Sequence, residues 1–135
     1  MNLAFFGSRT LRGSSVEAVM RAEINERHPD MIITSGEPEG VCGTACKIAR
    51  EEKITLELYW ADKKKYAAGQ YHHWSVAVFS NCDHCVFIWD GKSKGTKNEI
   101  ALAVKMKLPH TVHIIKPAIC NAELLATIAA MKGKS

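Results

Sequence analysis

Five short apolar runs, separated by stretches of helical periodicity, constrain this chain more than any other feature. Leu3 to Phe6, Met31 to Thr34, Ile54 to Tyr59, Cys85 to Trp89 and Thr111 to Ile115 are rich in β-branched and aromatic residues and mostly lack polar alternation. Strands covered on both faces read this way. Between them, Val16, Val19, Met20 and Ile24 recur at helical spacing, as do Ile100, Ala103, Val104 and Leu108. His72-His73-Trp74 opens a further helix after Gly69, and Leu124, Leu125 and Ile128 mark a closing helix at about 121–131. Strands alternating with helices form right-handed crossovers, so the expected fold is α/β, a mainly parallel sheet of about five strands sandwiched between helices.

Three of the runs lead straight into a glycine-bearing loop: Gly7-Ser8-Arg9-Thr10, Ser35-Gly36-Glu37-Pro38-Glu39-Gly40, and Asp90-Gly91-Lys92-Ser93-Lys94-Gly95-Thr96. In a parallel sheet all three emerge at one edge. Glycine lets backbone N–H groups approach an anion, and a following helix adds the positive end of its dipole, so turns converging there suit a phosphate-bearing ligand. Arg9 is placed to fork onto a phosphate or carboxylate, with Ser8 and Thr10 as hydroxyl donors; an exposed arginine beside a tight turn is the plainer alternative.

With 135 residues, 47% apolar and 24% charged, the chain fits one domain, with a core at about 1–116. No apolar stretch reaches the roughly 20 residues of a membrane span, and the N-terminus has no secretion signal, so no membrane partner and a cytoplasmic setting are expected. Five cysteines, an odd number, then read as reduced thiols. Cys82-Asp83-His84-Cys85 and the Cys42/Cys46 pair have metal-like spacing, but Cys85 opens a buried strand and no second ligand pair stands at standard distance. They read as small buried hydrophobes, and neither a metal nor a cofactor is expected. The net charge of +4 is mild and its lysines scattered apart from Lys63-Lys64-Lys65, which permits nucleic-acid contact without favouring it.

Two loops carry helix-start signals. Ser14 with Glu17 and Thr96 with Glu99 both fit capping boxes. Glu99 also suits a functional reading, in which amides from Gly91 to Gly95 face a phosphate while its carboxylate accepts ribose hydroxyls or assists C–N cleavage. His72 and His73 diverge by about 100° on a helix, so one of them at most faces a site there. Trp60, Trp74 and Trp89 are candidates for stacking on a base or for ordinary packing. The stretch from Trp60 to Gly69 is long for a link and reads as a lid or binding loop.

Phe6-Gly7-Ser8-Arg9-Thr10, Ser35-Gly36 with Gly40, Tyr66 with Ala68-Gly69, and the run from Trp89 to Thr96 together resemble the SLOG superfamily, most closely its small YspA-like branch of bacteria and phages. The resemblance runs from about Leu3 to Ile115 and extends to phosphoribohydrolases of the LOG type and DNA-processing proteins of the DprA type. It implies a Rossmann-like fold and a nucleotide-type ligand at the carboxyl ends of the strands. By that similarity Gly7, Ser8, Arg9, Ser35, Gly36, Gly91, Ser93, Gly95 and Thr96 would line the ligand site; Thr10, Gly40, His72, Asp90 and Lys92 are further candidates from the loops and helix themselves. Glu99 falls on the glutamate of the phosphoribohydrolases' Gly-Thr-x-x-Glu motif, and relatives often form homodimers.

The second loop departs from the branch, which usually reads Ser-Gly-Gly-Ala-Arg-Gly-x-Asp; here Glu37, Pro38, Glu39 and Cys42 replace the second Gly, the Ala, the Arg and the Asp. His72-His73 likewise replaces an Arg-Asn pair. A carboxylate at Glu39 would repel a phosphate that arginine would clamp. The expected function is therefore sensing or sequestering a nucleotide-derived small molecule. The alternatives are an enzyme cleaving an N-glycosidic bond, with Glu99 as acid/base and His72 as helper, and, last, a DNA- or protein-binding module.

Overall fold

The computed structural model describes residues 1–59 and 71–116, with residues 71–74 as backbone only. The expected lid at 60–69, the closing helix at 121–131, and the side chains of His72, His73, Trp60 and Trp74 lie outside the described residues. Strands and helices alternate: β1 (Asn2–Gly7), α1 (Ser14–Arg27), β2 (Met31–Ser35), α2 (Gly40–Glu51), β3 (Thr55–Tyr59), α3 (Tyr71–Ser80), β4 (His84–Trp89), α4 (Lys94–Lys105) and β5 (His110–Ile114). All the pairings are parallel, in the order β3-β2-β1-β4-β5. This is an α/β, Rossmann-like three-layer arrangement.

Alternation along the central strands sorts side chains into two cores. Leu3 and Phe5 of β1 join Val86 and Ile88 of β4 on one face, under Val16 and Met20 of α1 and Val41 and Ile48 of α2. Ala4 and Phe6 join Cys85 and Phe87 on the other face, under Val78 and Phe79 of α3 and Ala103 of α4. There the Phe79 ring meets those of Phe6 and Phe87 edge-on, at 6.1 and 5.9 Å between centroids. Each such fully buried side chain contributes about 1.5–3 kcal/mol relative to exposure. The buried Thr34 hydroxyl donates to the Phe5 carbonyl at 2.7 Å, tying β2 to β1.

The outer strands are less covered than their apolar composition predicts: Val112 and Ile114 of β5 are exposed, as is Val104 on α4, which ends before Leu108. Helix α2, an element beyond those expected, packs through Val41, Ile48 and the smaller Cys42, Ala45, Cys46 and Ala49. The expected capping box at Ser14 and Glu17 is absent. Gly13 occupies the cap of α1 without a side-chain bond, and the Glu17 carboxylate is instead taken by Arg21 at 3.2 Å and Lys47 at 3.3 Å.

Candidate functional site

The chain leaves β1 toward one face of the sheet and β4 toward the other, which opens a crevice between the carboxyl ends of these neighbouring strands. A cavity of about 370 Å³ lies there, lined by Gly7, Ser8, Arg9, Thr10, Ser93, Gly95, Thr96 and Glu99. The first and third glycine loops thus form its walls. Gly7 is required by the strand packing itself, since a Cβ there would stand 2.0 Å from the Ile88 carbonyl oxygen.

Buried Ser8 ties the loops together. Its N–H donates to the Ile88 carbonyl at 3.1 Å, its Oγ accepts the Asp90 N–H at 3.1 Å, and its carbonyl accepts the N–H groups of Leu11 and Val41. The Ser93 hydroxyl sits 3.1 Å from Ser8 Oγ and 3.0 Å from Asp90 Oδ2.

Asp90 holds the third loop together through its own carboxylate. Oδ1 accepts the N–H groups of Lys92 and Ser93 at 2.8 and 2.7 Å, and Oδ2 accepts the Thr10 hydroxyl at 3.2 Å. Desolvation works against the charge, but these donors outweigh it and hold the carboxyl at about 2. The expectation that amides from Gly91 to Gly95 face a phosphate is corrected accordingly: those of Lys92 and Ser93 are already used. The donors that remain are the first-turn amides of α4, at Lys94, Gly95 and Thr96, which have no intrahelical acceptor and no side-chain cap. A Cβ on Gly95 would meet nothing within 4 Å, so backbone is bare there.

Thr96 and Glu99 do not form the expected capping box, because α4 starts at Lys94, which puts Thr96 in the third helical position and Glu99 a turn beyond. Thr96 is buried. Glu99 is partly open to the cavity yet desolvated by the protein around it, and with no opposing hydrogen bond among the described residues its carboxyl is pushed up to about 7.

The second loop buttresses the site from behind. Ser35, Gly36 and Gly40 are not among the cavity's described lining, nor are Asp90, Gly91 and Lys92. Gly40, at φ 68°, lies so close to the first loop that a Cβ would meet the Arg9 Cα at 2.5 Å. The repulsion expected from Glu39 takes another form: Glu39 occupies the cap of α2, while Glu37 accepts a hydrogen bond from Arg9 Nη2 at 3.0 Å. Glu37 is the residue that sequence reasoning undervalued; its signal was a carboxylate where the resembled branch has glycine. The Trp89 indole N–H donates to the Ser93 carbonyl at 3.0 Å, which ties the ring to the third loop. Cys42, Cys46, Cys82 and Cys85 are buried and free. No group of three or more potential metal ligands occurs among the described residues, and none of their helices is long and apolar enough to cross a membrane.

These features define the class: a Rossmann-like α/β domain with a donor-lined cavity at its topological switch point. Two solved structures share the fold. One is the Moco carrier protein from Chlamydomonas reinhardtii, 16% identical, with a TM-score of 0.54 over 99% of this chain and 98% of that one. The other is a structure of the molybdenum cofactor carrier protein MCP from the same organism, 18% identical, with a TM-score of 0.52 over 98% of each chain. At such identities the likeness is one of fold. No protein-family model matches the chain, and no curated protein matches it.

Proposed function

We propose that this protein binds, without converting it, a phosphate-bearing, nucleotide-derived small molecule in the cavity between the ends of β1 and β4. The observation that carries this reading is the convergence of the uncapped first turn of α4, at bare Gly95 and Thr96, and of Arg9 on one cavity. The Arg9–Glu37 pair is no obstacle, because exposed pairs contribute only about 0.2–1 kcal/mol. Charge-assisted bonds to a phosphate contribute about 1.5–3 kcal/mol each, so the guanidinium exchanges partners when a ligand arrives. The resemblance to the SLOG superfamily supports the nucleotide-derived class. The two carrier proteins of like fold support holding over turnover.

Calorimetric titration with ribonucleotides, ADP-ribose, cyclic dinucleotides and the molybdenum cofactor tests the reading. At least one should bind, and Arg9→Ala should weaken it about tenfold, equivalent to about 1.4 kcal/mol. Absence of binding heat across the whole panel would sink it.

Glu99 favours a second reading, N-glycosidic cleavage, because a carboxyl near 7 is suited to proton transfer at neutral pH. Release of free base from nucleoside monophosphates, abolished in Glu99→Gln, would establish that reaction; a rate indifferent to the substitution would eliminate Glu99 from it.

A further inference from the structure

Among the described lining residues Glu99 supplies the one carboxyl, in a cavity otherwise made of backbone N–H groups, hydroxyls and a guanidinium. It has neither a hydrogen bond nor an ion pair among the described residues. Lying a turn beyond the start of α4, it is also past the reach of the first-turn dipole. Among the described residues, the ionisable groups around it offer no counter-charge. Cys42 of α2 and Cys85 of β4 feel its charge, and burial keeps both as neutral thiols. Arg9, from the loop after β1, is engaged by Glu37. Asp90, from the loop after β4, is an anion with its oxygens occupied. On α3, the side chains of His72 and His73 lie outside the described residues.

A carboxylate in that position would repel the anion that the rest of the cavity attracts. We propose that Glu99 is a specificity-determining residue that meets the anionic ligand in its neutral form and donates a hydrogen bond to one of its acceptor atoms, so that binding takes up a proton. This rests on the binding reading above and names the ligand's chemistry further: an anion carrying an uncharged or weakly basic acceptor beside its phosphate. It replaces the expectation that Glu99 accepts ribose hydroxyls. The desolvated carboxyl, pushed up to about 7, already stands midway between its two forms at neutral pH. A bound anion raises it further; affinity is then full below pH 7 and falls, by roughly tenfold per pH unit, as pH rises toward the value in the complex.

ADP-ribose is a suitable probe because its pyrophosphate keeps one charge state between pH 6 and 8. Calorimetry of the full chain in buffers of different ionisation enthalpy at pH 7.5 should show net proton uptake, with affinity roughly tenfold weaker at pH 8 than at pH 6. In Glu99→Gln, whose amide is a permanent donor, uptake should vanish and affinity at pH 8 should exceed that of the unsubstituted protein. Binding without uptake, or weakened by Glu99→Gln at every pH, would overturn the proposal while leaving the binding reading intact. A carboxyl-carbon NMR titration of Glu99, with and without saturating sulfate, covers the case in which ADP-ribose does not bind. A midpoint raised by sulfate supports proton coupling even if the nucleotide class fails. An ordinary midpoint, or one indifferent to sulfate, refutes the proposal.

Discussion

Single residues decide whether the cavity exists at all. Gly40 holds a left-handed backbone angle with the first loop pressed against its missing side chain. Gly40→Ala should therefore cost about 2–3 kcal/mol, seen as a fall of roughly 10 °C in Tm, and should weaken ligand binding by displacing Arg9. Asp90 makes an acid-side prediction. Its folded carboxyl is depressed to about 2 from an ordinary 3.8, so the stability it contributes is present above that ordinary value and is lost as pH falls toward 2. Asp90→Asn should be less stable near neutrality, and its melting curve should converge with that of the unsubstituted protein between those two pH values. Both roles escape a reading of the chain by itself. A glycine after an apolar run announces a turn, but not that the turn lies against another loop, and nothing in the spacing around Asp90 announces that its carboxylate gathers the amides of its own loop.

The elements were more legible than their contacts. Apolar runs marked all five strands to within a residue or so; burial on both faces explains the dense signature of β1, β2 and β4, while β3 and β5 were marked by their β-branched and aromatic residues alone. Helix α2 went unread although Val41, Cys42, Ala45, Cys46, Ile48 and Ala49 lie at helical spacing, because most of that stripe is made of small residues that stand out little as apolar. Edge exposure at Val112 and Ile114 is a property of strand order, which composition does not encode. One inter-element contact yields a stability test. Buried Glu23 of α1 accepts from Arg27 Nε at 2.7 Å and pairs with His113 Nε2 of β5 at 2.9 Å. Desolvation opposes its charge, yet these two partners prevail and keep its carboxyl below the ordinary value. Glu23→Ala removes the carboxylate from both partners, leaving Arg27, among the described residues, only its bond to the Thr111 hydroxyl at 3.3 Å, and should cost about 1–3 kcal/mol in chemical denaturation. The Glu23 contribution should fade as pH drops through the carboxylate range.

At the scale of the whole molecule, strand order makes the site. Placing β1 beside β4 sends the chain to opposite faces of the sheet and leaves the crevice that the cavity occupies. The alternation of runs and helices made a parallel sheet readable, and with it the gathering of the glycine loops at one edge. Which two of the three would wall a cavity depended on the strand permutation. A ligand that fills it should stabilise the entire fold by mass action, about 2.7 kcal/mol at a hundred times Kd, and raise Tm by several degrees in a thermal-shift series. The hydrogen bond between Ser93 and Ser8 joins residues 85 apart in the chain. During synthesis, then, a nascent polypeptide that has released only its first three strands from the ribosome carries one wall of the crevice without the other, and the cavity is closed only once the chain has been translated through α4.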